Sequence, residues 1–256
     1  MMIERRELEV AGLKAHFYSP AGGGKFPTVI AIHGGGWRLL NLDNYRYLGP
    51  WLAERGYALL AVTYRLATAE RKTYPEAVDD ARSALKFARG DAKLGIDAGR
   101  IALLGDSPGA HLAALVALTE KQPVKGVIGV YGVYDLAAQW RHDQVSRPRD
   151  HIVERFLGAS LIDDRRIYFD ASPISYVSAK NNATAFLIAW GTADDIVDHR
   201  TQSAALLEAL KQAGHYARPC VLEGAPHFWI GDPLEEEGSQ SAFFAHRLLR
   251  FLQAKV

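Results

Sequence analysis

An α/β fold built on a mainly parallel sheet of about eight strands is what this sequence predicts, and three observations predict it. Six short runs of β-branched and other apolar residues recur along the chain, helix-forming stretches fall between them, and an alternating hairpin precedes them all. Strands that alternate with helices form parallel sheets covered on both faces. The chain has 256 residues. Chains of that size bury roughly three quarters of their unfolded surface, enough for one large core. A single domain over residues 1–256 is therefore expected.

The hairpin comes first. Glu7-Leu8-Glu9-Val10 alternates, Ala11-Gly12 supplies a turn, and residues 13–18 alternate again. A turn rich in proline and glycine spans residues 20–24. Residues 28–32 form a buried strand by composition, and residues 57–64, 100–104, 127–131, 185–190 and 217–222 repeat the pattern. Pro219 marks the last of these as an edge strand, because proline has no N–H for the ladder. Thr73-Tyr74-Pro75-Glu76 reads as a capping box with proline in the first turn of a helix through Val78, Ala81 and Leu85. Asp198 caps a helix carrying Leu206, Leu207 and Leu210, with Gly214 as its stop. Residues 243–252 form a last helix. The stretch 133–182 is too long for one crossover helix and holds Trp140, Phe156, Tyr168 and Phe169 among many charges. It is expected to be a small cap inserted above the C-terminal ends of the strands, where open α/β sheets bind ligands.

Composition excludes several function classes. Thirty Lys and Arg against 29 Asp and Glu leave a formal charge of +1, so no basic field gathers nucleic acid or anionic lipid. Cys220 is the one cysteine, which forbids an intrachain disulfide and suits a reducing compartment. Residues 1–7 hold no apolar stretch for a signal peptide. The longest apolar run, residues 112–118, falls far short of the roughly 20 residues of a membrane span. A cytoplasmic protein is expected. Neither H-E-x-x-H nor paired cysteines suggest a metal, no G-x-G-x-x-G follows a strand, and residues 21–26 lack the spacing of a P-loop. No metal and no cofactor are expected.

Two motifs carry chemistry. Gly105-Asp106-Ser107-Pro108-Gly109 follows a strand and precedes a helix-forming stretch. That is the setting of a G-x-S-x-G elbow, in which a tight turn exposes the serine hydroxyl at the C-terminal end of a sheet. His33-Gly34-Gly35-Gly36-Trp37 follows the strand 28–32. A glycine run lets backbone N–H groups turn inward to stabilise an oxyanion. Alone, the first motif also fits a loop whose Ser or Asp caps a helix, and the second fits a flexible turn. Their arrival together, each after a strand and in this order, favours catalysis.

HGGGW followed by GDSPGAHLAALVAL resembles the α/β-hydrolase superfamily, in particular the hormone-sensitive-lipase-like esterases. The form G-x-S-x-G-A-H also resembles the branch of small carboxylesterases and kynurenine formamidases. The resemblance runs from about Pro27 to the C-terminus. It implies the α/β-hydrolase fold and a triad in the order serine, acid, histidine. Ser107 is then the nucleophile. Gly191-Thr192-Ala193-Asp194-Asp195-Ile196-Val197 resembles the G-x-x-D-x-x-V element that supplies the acid, which selects Asp194. Asp195 is its neighbour, and Asp198 is better placed as a helix cap. The family usually has histidine where Trp190 stands. The base is expected in the loop after the last strand, at His227. His16 and His33 precede the serine. His111 points into the fold or along the elbow helix, and His199, His215 and His246 fall on or beside helices, on solvated faces. The resemblance also implies an oxyanion hole at Gly35 and Gly36. Pro108 departs from the family, because its position ordinarily donates an N–H that proline lacks.

The expected activity is hydrolysis of carboxylic esters, with short-chain acyl or aryl groups, through an acyl-enzyme and without a cofactor. Trp37, Trp140 and Phe228 are expected to line the substrate pocket. An arylformamidase acting on an N-formyl aromatic amine is a rival with the same machinery. A non-catalytic ligand-binding protein is another, although such relatives lose a triad residue and all three candidates are present here. The expected partner is a small ester, and a homodimer is left open.

Overall fold

Alternation in the first twenty residues builds one edge of the sheet. In the computed structural model, which describes residues 2–91, 93–236 and 238–256, β1 (Ile3–Val10) and β2 (Leu13–Pro20) pair antiparallel about the Ala11-Gly12 turn. Met1 of the opening stretch lies outside the described residues. Six further strands follow: β3 (Phe26–Ile32), β4 (Ala58–Val62), β5 (Ile96–Asp106), β6 (Gly126–Val130), β7 (Ala185–Gly191) and β8 (Ala217–Leu222). Their spatial order is β1-β2-β4-β3-β5-β6-β7-β8. Every pair from β4 to β8 is parallel. β4, β6 and β7 are buried at every residue, as continuous apolar runs covered on both faces should be. β8 is the edge, with Arg218 and Pro219 exposed.

Two cores flank the sheet. On one face pack α2 (Glu76–Gly90), α3 (Pro108–Thr119) and α7 (Ala205–Gln212), through residues such as Leu85, Leu112 and Leu206. On the other pack α1 (Leu48–Ala53) and α8 (Gln240–Lys255), through Leu52, Phe244 and Leu248. α3 is buried from Pro108 to Leu118 because it lies against β5 and β6 with α2 alongside. Its sequence accordingly shows no polar face. The stretch 133–182 holds α4 (Leu136–Ser146), α5 (Ile152–Leu157), α6 (Arg165–Ala171) and a short 3-10 turn at Pro173–Tyr176. Asp135 caps α4 on the Ala138 N–H, and Asp164 caps α6. Among the described residues no helix is long and apolar enough to cross a membrane.

Three local expectations are corrected. Thr73 forms no capping box: α2 begins at Glu76, so Thr73 lies too far upstream for its hydroxyl to serve the first turn. Its backbone carbonyl accepts from the Ala77 N–H at 2.7 Å, and its hydroxyl is buried without a partner. Asp198 stands one residue before the N-cap: His199 holds the cap position of a π-helical turn, Arg200–Ala204, that runs on into α7, and Asp198 accepts from the Arg200 N–H at 3.2 Å. His215 is buried rather than solvated, with Nδ1 beside the Thr184 carbonyl.

Candidate active site

The elbow forms because β5 must turn into α3 within one residue. That residue is Ser107, at φ 52° and ψ −120°, a backbone region costly for a side-chain-bearing residue and common at functional sites. The turn is tight enough that a Cβ on Gly109 would run into the Ile32 carbonyl, and one on Gly105 into the Gly109 backbone. The Ser107 N–H is occupied by the Val130 carbonyl at 2.8 Å, while the Ser107 carbonyl takes the first N–H groups of the helix. Its hydroxyl caps nothing in α3 and remains available to a base.

Loops leaving β7 and β8 bring Asp194 and His227 to that hydroxyl. His227 Nε2 is 3.0 Å from Ser107 Oγ, and His227 Nδ1 is 2.6 Å from Asp194 Oδ2. The second Asp194 oxygen accepts the Ile196 and Val197 N–H groups at 3.0 and 2.9 Å, which fixes the orientation of the carboxylate toward His227. Both side chains are 1% exposed. The His227 ring packs against Tyr131 and Phe228, each with its centroid 4.4 Å away. Among the described non-glycine residues with positive φ, all but Ala11 adjoin this site: Trp37, Ser107, Tyr131 and Phe228. The other buried histidines near the elbow are structural. Burial pushes His33 and His111 down to about 4, so both are neutral near pH 7. His33 sits between the Gly34 carbonyl and Thr63, and His111 between Trp37 and the Ala171 carbonyl.

Gly35 and Gly36 line the same cleft as Ser107. Among the described residues, neither of their N–H groups donates to a protein acceptor. Asp106, which the sequence pattern did not single out, ties this loop to the elbow. Its buried carboxylate accepts from the Gly34 N–H at 3.0 Å, the Tyr45 hydroxyl at 2.6 Å and Asn44 Nδ2 at 2.9 Å. The available signal was a carboxylate ending an otherwise apolar strand, since a buried acid must find donors. Burial pushes the Asp106 carboxyl up to about 6 from its ordinary 3.8, against the pull of Tyr45 and Gly34. Between those values the folded chain holds a proton that the unfolded chain has lost. Asp106 therefore stabilises the fold at low pH, and this contribution is lost as pH rises through about 6. Melting temperatures of the parent chain and Asp106→Asn, compared at pH 4 and pH 7, should show the parent losing ground relative to the variant. A pH-independent gap would contradict this.

The cleft has a volume of about 500 Å³, within the range of small-molecule sites. Phe228 lines it and is 63% exposed, with Leu39 and Leu40 beside it at the mouth. Trp37 borders it but is 2% exposed, its ring stacked on Phe156 at 4.6 Å. Trp140 is corrected: it lies outside the cleft, against a separate cavity, with its indole N–H donated to Glu154 at 2.6 Å. The reason is helical register. α4 turns Gln139 and Asp143, four residues apart, toward the cleft, and Arg147 follows at the next turn. Trp140, one residue on from Gln139, is rotated about 100° away. That i, i+4, i+8 polar spacing is present in the sequence. Among the described residues, no group of three or more His, Cys, Asp or Glu side chains is placed to hold a metal ion.

Comparison with known proteins bears on the family and the fold. The profile of the family described as BD-FAE matches residues 16–210. Esterase LipQ of Mycobacterium tuberculosis (strain ATCC 25618 / H37Rv) is 32% identical over 209 residues, covering 76% of this chain and 48% of LipQ. The chain thus spans about half the length of that relative. Ethyl acetate hydrolase of Pseudomonas putida is 30% identical over 238 residues, covering 82% of this chain and 68% of its own. Among solved structures, the hyperthermophilic esterase from the archaeon Pyrobaculum calidifontis matches with a TM-score of 0.78 at 26% identity, over 99% of this chain and 86% of that one.

Proposed function

The chain belongs to the BD-FAE family, on the α/β-hydrolase fold, and from that premise we propose that it is a serine hydrolase cleaving carboxylic esters with short-chain acyl or aryl groups. The observation that carries this reading is the unbroken relay from Ser107 Oγ through His227 to Asp194, set beside the free N–H groups of Gly35 and Gly36. The esterase names of the relatives support it.

The chemistry follows from the geometry. A serine hydroxyl is a weak nucleophile near neutral pH, so it needs a base within hydrogen-bond reach. His227 Nε2 takes the Ser107 proton as Oγ bonds to the ester carbonyl carbon. The carbonyl oxygen becomes an oxyanion, which the N–H groups of Gly35 and Gly36 receive in this reading. Asp194 holds the imidazole by Nδ1–H, fixing the tautomer and stabilising the imidazolium. The carbon–oxygen bond to the alcohol then breaks, and His227 returns its proton to the departing oxygen. Water repeats the sequence on the acyl-enzyme, releasing the acid and restoring Ser107. The lone buried thiol, Cys220, is compatible with action in the cytoplasm.

Hydrolysis rates for p-nitrophenyl acetate, butyrate and palmitate, together with an N-formyl aromatic amine, test the reading. The highest kcat/KM is expected on a short acyl ester, because the cleft is of about 500 Å³. Faster turnover of the formyl amide would transfer the chain to the formamidase class. Absence of turnover on all four, with a folded protein, would overturn the enzymatic reading.

A further inference from the structure

We propose that α4 of the cap positions the acid of the triad: Gln139, Asp143 and Arg147 hold the turn 194–197, and through it Asp194, in register with His227. This rests on the triad reading above.

The argument starts from how the acid turn is held. Thr192 and Ala193 remain tied to the arm that carries His227, through the Leu222 and Ala225 carbonyls. Past Ala193 the support changes hands. Gln139 Nε2 donates to the Ile196 carbonyl at 3.0 Å, and one Arg147 guanidinium nitrogen, Nη2, donates to the same carbonyl at 3.4 Å. His142 Nε2 lies 3.3 Å from the Asp195 carbonyl. On its other side, Ile196 gives its N–H to Asp194 Oδ1. Ile196 is thus gripped by the cap at its carbonyl and by the acid at its N–H.

Asp143 makes the grip specific. A single oxygen, Oδ1, collects Gln139 Nε2 at 2.8 Å and Arg147 Nη2 at 2.6 Å. Both flexible donors are thereby aimed at one carbonyl. Gln139 and Asp143 are 2% and 4% exposed, and hydrogen bonds so far from water are strong when made and costly when broken. The Arg147 guanidinium pairs with the buried Asp143 carboxylate at 2.6 Å, and removing either partner would leave the other without it. Gln139, Asp143 and Arg147 also line the cleft, so the cap that borders the substrate is mechanically joined to the acid. They are positioning residues, acting on the reaction through Asp194.

A double-mutant cycle separates this role from substrate binding and from simple support of the fold. Gln139→Ala, Asp143→Asn and Arg147→Ala are made in the parent and in Asp194→Asn, and kcat and KM are measured on p-nitrophenyl acetate and butyrate. In the parent, kcat should fall roughly 10- to 100-fold, the scale of an ångström misplacement in a catalytic group. KM should change by less than about twofold, and the fall should be the same on both esters. In Asp194→Asn the same replacements should leave kcat within about twofold, because the group they position is already disabled. Arg147→Lys, which keeps a donor, should recover part of the loss. Arg147 stands at the partly exposed end of α4, so its variants keep the test open if Gln139→Ala fails to fold. Losses that persist in full in Asp194→Asn, that reside in KM, or that do not occur would overturn the proposal. A normal kcat for Asp194→Asn alone would instead overturn the triad reading.

Discussion

Replacing His227 by alanine is expected to lower kcat by about 10⁴- to 10⁶-fold. His227 Nε2 lies 3.0 Å from Ser107 Oγ, and Asp194 touches only the far nitrogen of the ring, so the acid cannot replace the base. The variant also leaves a buried carboxylate without its main partner and empties the space between Tyr131 and Phe228. A lower melting temperature should accompany the loss of activity. Ser107→Ala is the companion that separates the two effects. It removes a hydroxyl that caps nothing and leaves the His227–Asp194 pair intact. It should abolish turnover by a similar factor with little change in melting temperature. Steady-state rates on an activated ester, with thermal melts of both variants, are the measurement. Near-parent turnover in His227→Ala would show that the base lies elsewhere.

How much of this was legible in the sequence depended on the range of the interactions. Strands such as Ala58–Val62 and Ala185–Gly191 are continuous apolar runs, and burial on both faces demands that composition. The Ala11-Gly12 hairpin and the edge position of Pro219 are local rules with local outcomes. Ser107 declared itself because the elbow needs glycines on both sides of it. Asp194 and His227 did not; family order selected them, since no local pattern distinguishes Asp194 from its neighbour Asp195. Asp106 escaped because its partners Gly34 and Tyr45 stand 72 and 61 residues away. The grip of Gln139 on Ile196 spans 57 residues. Side-chain chemistry alone points Trp140 to the pocket. Which way it faces is fixed by helix register, and α4 gives the cleft to its polar neighbours. The Thr73 box failed on a boundary: with Glu76 as the first helical residue, Pro75 stands before the helix, not within it.

Pro108→Ala is expected to raise kcat by about tenfold or more, if Gly35 and Gly36 form the proposed oxyanion hole and proline withholds a third donor from it. Gly35 and Gly36 offer two unoccupied N–H groups. The Ser107 N–H is occupied by Val130, and the side-chain nitrogen of Asn44 by Asp106. The next backbone position lines the cleft and belongs to proline, which has no N–H to give. Pro108 is the first residue of α3, where a backbone N–H has no partner within the helix. An alanine there would present its N–H to the cleft without taking it from the helix. Removing one such donor elsewhere lowers kcat roughly 10²- to 10³-fold, so restoring one should show clearly above experimental scatter. The proline has a compensating merit in the folded chain. It disfavours the helical region for the residue before it, and Ser107 at φ 52° lies outside that region. Proline also fits the first helical position without strain, so the variant should melt slightly lower, by the roughly 0.4–1 kcal/mol that a compatible proline contributes. The test is kcat on p-nitrophenyl acetate beside a thermal melt. A gain in rate with a small loss of stability is the expected pair. An unchanged or lower kcat would mean that Gly35 and Gly36 complete the hole by themselves, and that proline is retained for its hold on Ser107.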